Sequence, residues 1–104
     1  MIRGEIRRLK LRHQGGREQD GVRFGVILQT EALAVLSTVI VAPTSTSALP
    51  ATFRPIIEID GVLTRVLVEQ LRAVDVTRLS DPVGVVTIPE LAAIDDALID
   101  VLGL

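Results

Sequence analysis

Residues Ser37 to Ser47, STVIVAPTSTS, constrain this chain more than any other stretch. The first half, Ser37 to Ala42, is a run of β-branched and aliphatic side chains, the composition of a strand buried on both faces. Pro43 lacks the N–H that a central ladder uses, so regular pairing is expected to end there. Four hydroxyl residues follow at once, Thr44, Ser45, Thr46 and Ser47. A rigid strand that stops and presents hydroxyls holds donors in a fixed position. The same pattern also describes a plain Ser/Thr-rich loop leaving a core strand.

Strand signals surround this stretch. Arg3 to Leu11 alternates imperfectly and reads as a half-exposed strand. Arg12 to Gly21 is a polar, glycine-containing loop longer than a hairpin needs, and it carries the chain's one histidine, His13. Val22 to Gln29 reads as a strand with Val26, Ile27 and Leu28 buried and Arg23 at its entrance, where the guanidinium must stay paired or wet. Glu18 or Asp20 would pair with it on a rim. Thr30 to Leu36 has helical composition over one or two turns. Phe53 to Ile59 is an edge strand with Pro55 near its start, and Asp60-Gly61 is a hairpin turn.

Leu63 to Asp75 gives one or two further strands whose phase changes near Gln70, the mark of a bulge or bend. Val76 to Ser80 reads as a turn and Val83 to Ile88 as the last strand. Thr87-Ile88-Pro89-Glu90 is a capping box with proline in the first turn. The helix it opens sets Leu91, Ile94, Leu98, Val101 and Leu102 on one face and ends at Gly103. Asp95, Asp96 and Asp100 lie off that face and oppose the helix dipole, which suits solvent or a partner. The fold class is mainly β: five to seven short strands in a small curled sheet or barrel, closed by a C-terminal helix.

The totals narrow the function. At 104 residues the chain is expected to be one domain, 1–104, and 48% apolar content with a mean hydropathy of +0.47 is ample for its core. Without cysteine there is no disulfide framework or thiolate chemistry, and a single histidine excludes a His-rich metal site. No apolar run has the length of a membrane span, and the charged start Met1-Ile2-Arg3-Gly4-Glu5 is unlike a signal peptide, so a cytoplasmic location is expected. Phe24 and Phe53 are the only aromatic residues, too few for base-stacking platforms, and the net charge of −2 does not by itself suit a nucleic-acid binder. The distribution qualifies that. Residues 1–23 hold seven basic side chains against three acidic ones, while the remainder holds four against ten. Such polarity serves a polyanion or a second protein.

Six pieces in order resemble the MazF/PemK toxins of bacterial toxin–antitoxin modules. Arg3-Gly4-Glu5-Ile6 is similar to the family's RGE(I/V)W start, and Gly16 to Arg23, GREQDGVR, to its GSEQxGxRP loop. Gly25 to Gln29 matches its VVVLS strand. Val41 to Ser47, VAPTSTS, resembles V(V/A)PxTSN; Val68 to Asp75, VEQLRAVD, resembles VDQIRTVD, with Arg78-Leu79 as the RL that follows. Asp95-Asp96-Ala97-Leu98 and Leu102-Gly103-Leu104 resemble the terminal VDEAL and LGL. Two positions depart: Arg7 stands for the family's Trp, removing a packing element, and Phe24 for its Pro, restoring a backbone N–H.

The resemblance implies a homodimeric SH3-like barrel, akin to that of the CcdB toxins, that cleaves single-stranded RNA at short motifs with no metal or cofactor. Its partner would be a cognate antitoxin whose acidic, flexible C-terminal part occupies the RNA site. By position, Arg23 matches the family's catalytic Arg and Ser45 its catalytic Thr or Ser, with Thr44 and Thr46 as neighbouring candidates. Glu18 matches an acidic loop position, as base or as orienter of Arg23. Arg12, His13, Arg17 and Gln19 of the polar loop, with Gln70 and Arg72, would contact RNA. The alternative on the same fold is a CcdB-like toxin that poisons a protein target such as DNA gyrase, and the acidic remainder and scarce aromatics suit it.

Overall fold

Seven strands and one α-helix make up the computed structural model, which describes residues 1–11 and 21–104. In chain order they are β1 (Glu5–Leu11), β2 (Gly21–Ile27), β3 (Thr38–Ser45), β4 (Ile56–Ile59), β5 (Val62–Val66), β6 (Arg72–Asp75), β7 (Leu79–Val85) and α1 (Ile88–Leu102). The sheet runs β4-β5-β3-β2-β1-β7, with β6 also paired to β3. It curls into a half-barrel that α1 closes. Every pairing among the described residues is antiparallel.

Strand β3 is the hub, and it does not end at Pro43. Along one edge it pairs with β2, Val41 to Pro43 facing Ile27 to Gly25. Along the other it pairs first with β6, through Thr38 to Val41, and then with β5, through Thr44 and Ser45. Pro43 sits at the change of partner. Its carbonyl accepts from the Leu67 N–H at 2.8 Å on that second edge, which is also the edge its own nitrogen faces in an extended chain. The missing N–H therefore falls in the gap between two ladders, where no partner strand needs it.

The central strands are apolar on both faces because the sheet separates two clusters. Ile6, Val26, Ala42 and Val66 face α1, meeting Ile94 and Ala97. Leu9, Ile27, Val39, Val41 and Val74 form the other cluster. Gly4 clasps the sheet at one end: its N–H reaches the Ile27 carbonyl at 2.7 Å and its carbonyl takes the Val86 N–H at 3.0 Å. That geometry needs φ +93°, and a Cβ there would sit 3.2 Å from Val86 Cγ2, so glycine is required twice over.

Other elements moved from their expected bounds for local reasons. The phase change near Gln70 is a 3-10 turn, Val68–Gln70, dividing β5 from β6. Thr30 to Leu36 yields only the 3-10 turn Glu31–Leu33, too short to nucleate a helix. Phe53 lies before β4, whose residues start after Pro55. The last strand begins at Leu79, well before Val83, and accommodates Pro82 because it is an edge strand with two register shifts against β1. The capping box forms as expected: Thr87 Oγ1 accepts from Glu90 N–H at 3.2 Å, and Glu90 Oε1 from Thr87 N–H at 2.8 Å. Gly103 ends the helix at φ 69°. Leu102, expected on the buried face, is exposed.

Candidate active site at the junction of β2, β3 and β5

The β2–β3 register brings the two leading candidates together. The β2–β3 pairing ends with Gly25 opposite Pro43, and Arg23 and Ser45 each lie two residues beyond that pair. A cavity of about 180 Å³ opens there, lined by Arg23, Phe24, Thr44, Ser45, Thr46 and Ser47. The pleat then sorts the hydroxyls. Thr44 is 4% exposed, and its Oγ1 donates to the Phe24 carbonyl at 2.9 Å, tying β3 to β2 beside Arg23. Ser45, one residue on, points to the opposite face. It is half-buried, its Oγ accepting from the Ser47 N–H at 3.2 Å and lying 3.3 Å from Ser47 Oγ. Thr46 is exposed. Among the three hydroxyl candidates, Ser45 is therefore the one held in place while still open to the cavity.

Glu18, Arg12, His13, Arg17 and Gln19 lie outside the described residues. Gln70 is exposed on the 3-10 turn, and Arg72 is half-buried on β6 opposite Val41, four residues along β3 from Ser45. At 3.3 Å per residue, that offset is roughly 13 Å. Neither lines the cavity at Ser45.

The register brings in a residue that the sequence left as one more polar side chain. Arg65 pairs directly with Ser45 across the β3–β5 ladder. Its Nη1 donates to the Arg54 carbonyl at 3.0 Å. With Thr46, Ile56, Leu63 and Thr64 it lines a second cavity of about 180 Å³, which shares Thr46 with the first. The one signal that points to it, hairpin counting back from Asp60-Gly61, aligns β5 with β4 but says nothing about β3.

Arg54 anchors this side. Its Nε and Nη2 reach Glu69 Oε2 at 3.0 and 2.6 Å, its Nη1 reaches the Leu49 carbonyl at 3.0 Å, and its head lies 5.6 Å from the Phe53 ring centre. Burial works to raise the Glu69 carboxyl, but the Arg54 hydrogen bonds and charge, with its own backbone N–H and Gln70, carry it below its ordinary value. Arg7 explains its departure from the aromatic residue of the resembled pattern. It donates to Glu5 Oε1 at 3.0 Å and to the Ser80 carbonyl at 2.9 Å, and both side chains of the pair are largely buried. Burial opposes ionisation of Glu5, and the Ile2 N–H and Arg7 outweigh it, so this carboxyl too is lowered. Among the described residues, no group of three His, Cys, Asp or Glu side chains is placed to hold a metal ion.

Comparison with known proteins places these observations. A curated protein of Mycobacterium tuberculosis, named as a candidate toxin, is 38% identical over 106 residues, covering 100% of this chain and 99% of that one. The crystal structure of MazF from Deinococcus radiodurans superposes with a TM-score of 0.85 at 24% identity, over 100% of this chain and 97% of the other. A mycobacterial endoribonuclease solved with its cognate antitoxin gives 0.83 at 22% identity, over 100% and 96%. At such identities the two structures speak for the fold. The family model of the PemK-like, MazF-like toxins matches residues 2–102. From end to end, this chain belongs to the PemK-like, MazF-like toxins of type II toxin–antitoxin systems.

Proposed function

We propose that this toxin is a metal-independent endoribonuclease that cuts single-stranded messenger RNA at a short sequence. The observation that carries the reading is the meeting of Arg23 and Ser45 at one cavity, on adjacent strands and one face of the sheet. In this reaction the ribose 2′-hydroxyl attacks the adjacent phosphorus. The 2′-oxygen–phosphorus bond forms, the bond to the 5′-oxygen breaks, and the products end in a 2′,3′-cyclic phosphate and a 5′-hydroxyl. The 2′-proton leaves to a base, for which Glu18 is the candidate, and water supplies a proton to the departing 5′-oxygen.

Arg23 presents a planar fork of donors to the phosphate oxygens, where charge accumulates in the transition state. A guanidinium offers donors and no acceptor, so stabilisation rather than proton abstraction is its part. Ser45 adds a hydroxyl hydrogen bond from the neighbouring strand. Holding both on a rigid sheet supplies the positioning that in-line attack requires. The protein acts as a homodimer in the cytoplasm, with a cognate antitoxin as its inhibitor, as the mycobacterial endoribonuclease structure contains one.

The test is incubation of purified protein with a long single-stranded RNA in EDTA, beside Arg23→Ala. Discrete fragments with 5′-hydroxyl ends, absent from the variant, are expected. Intact RNA in the presence of folded wild-type protein would overturn the reading and turn attention to a protein target.

A further inference from the structure

Directly paired residues of an antiparallel ladder point to the same face. Arg65 on β5 pairs with Ser45 on β3, and Arg23 of β2, the strand on the other side of β3, lines a cavity together with that serine. Three neighbouring strands thus bring arginine, serine and arginine to one region of the sheet. With adjacent strands about 4.8 Å apart, β2 and β5 run roughly 10 Å apart with β3 between them.

The surroundings of Arg65 differ from those of the arginines that serve the fold. Arg3, Arg7 and Arg54 each close on a carboxylate, Asp95, Glu5 and Glu69 respectively. No ion pair among the described residues includes Arg65. Its one hydrogen bond there is to the Arg54 carbonyl, which occupies one of five guanidinium donors and fixes the direction of the head. Arg65 lines a cavity that has Thr46 in common with the one at Arg23 and Ser45. Ile56 and Leu63, both exposed, supply apolar surface along its wall. A half-buried, pre-oriented guanidinium with no carboxylate partner among the described residues suits a phosphate.

We propose that Arg65 is a second phosphate-binding residue of this site, holding the RNA backbone phosphate next to the one at Arg23 and Ser45. The inference rests on the ribonuclease reading. In it, Arg23 and Ser45 act on the scissile group, while Arg65 fixes the adjoining nucleotide and so the register of the strand. Its contribution is made in ground and transition state alike, and so appears in KM rather than in kcat.

The experiment measures binding of a fluorescein-labelled 2′-O-methyl oligonucleotide, spanning a position that wild-type protein cuts, to wild type, Arg65→Gln and Arg65→Lys across a salt series. Loss of one phosphate contact should weaken Arg65→Gln about ten-fold and reduce the slope of log K against log salt by about 0.7, with Arg65→Lys recovering most of the slope. Cleavage kinetics should show a raised KM and a kcat near that of wild type. An unchanged slope in a folded Arg65→Gln protein would overturn the proposal. So would weaker binding with an unchanged slope and a lowered melting temperature, which is the result of a purely structural bond to the Arg54 carbonyl. Wild-type protein that neither binds nor cuts RNA brings down the ribonuclease reading itself, a result distinct from both.

Discussion

Thr44 and Ser45 carry similar hydroxyls on consecutive residues, and the pleat gives them different work. The Thr44 hydroxyl is buried and donates to the Phe24 carbonyl. Thr44→Val, nearly equal in volume, removes that donor and leaves a buried carbonyl short of a partner, so urea unfolding should show a loss of about 1–2 kcal/mol. Ser45→Ala should change stability by no more than about 0.5 kcal/mol, because the serine's bonds are local and partly exposed. It should lower RNA cleavage about 100-fold, the usual effect of deleting one donor to a developing charge. A Ser45→Ala protein that cuts at the wild-type rate would remove the hydroxyl from the chemistry.

Elements were legible in the sequence where their signals are local. Thr87, Pro89, Glu90 and Gly103 specify both ends of α1 within a few residues of each other, and the helix begins and ends where they say. Pro43 misleads for the complementary reason. Its effect on a strand depends on which partner faces it, and that partner changes from β6 to β5 at that residue. Pairing between distant strands also brings Arg65 to Ser45, and no local pattern records it. A motif singles out Arg23 and Ser45 as candidates, whereas the contact between their strands is a property of the sheet. Glu90 joins the two scales: besides closing the capping box, its Oε2 accepts the Glu58 N–H of β4 at 2.8 Å. Thr87→Ala should cost about 1 kcal/mol. Glu90→Ala should cost about 2 kcal/mol and also speed amide hydrogen exchange at Glu58, which the threonine variant should leave slow.

For the whole molecule, two acid–base pairs, Glu5 with Arg7 and Glu69 with Arg54, shape the response to acid. Glu5 and Glu69 both bind protons more weakly folded than unfolded, since their carboxylates are held by Arg7 and Arg54. Their contribution is therefore complete above the ordinary glutamate value of 4.5 and is lost as pH falls through the lower folded values. Urea midpoints should be level from neutral pH down to about 5 and drop steadily beneath it, and Glu69→Gln should flatten that drop. The sheet borders have a consequence of another kind. Besides the outer edge of β6, the sheet has two borders: β4, four residues long, whose Glu58 amide is claimed by Glu90, and β7, broken by Pro82 and two register shifts. Neither presents the flat run of unpaired donors and acceptors that templates a further strand. At those two borders, side-by-side copies find no template for fibril growth, and a binding protein finds better purchase on faces, loops or the cavity.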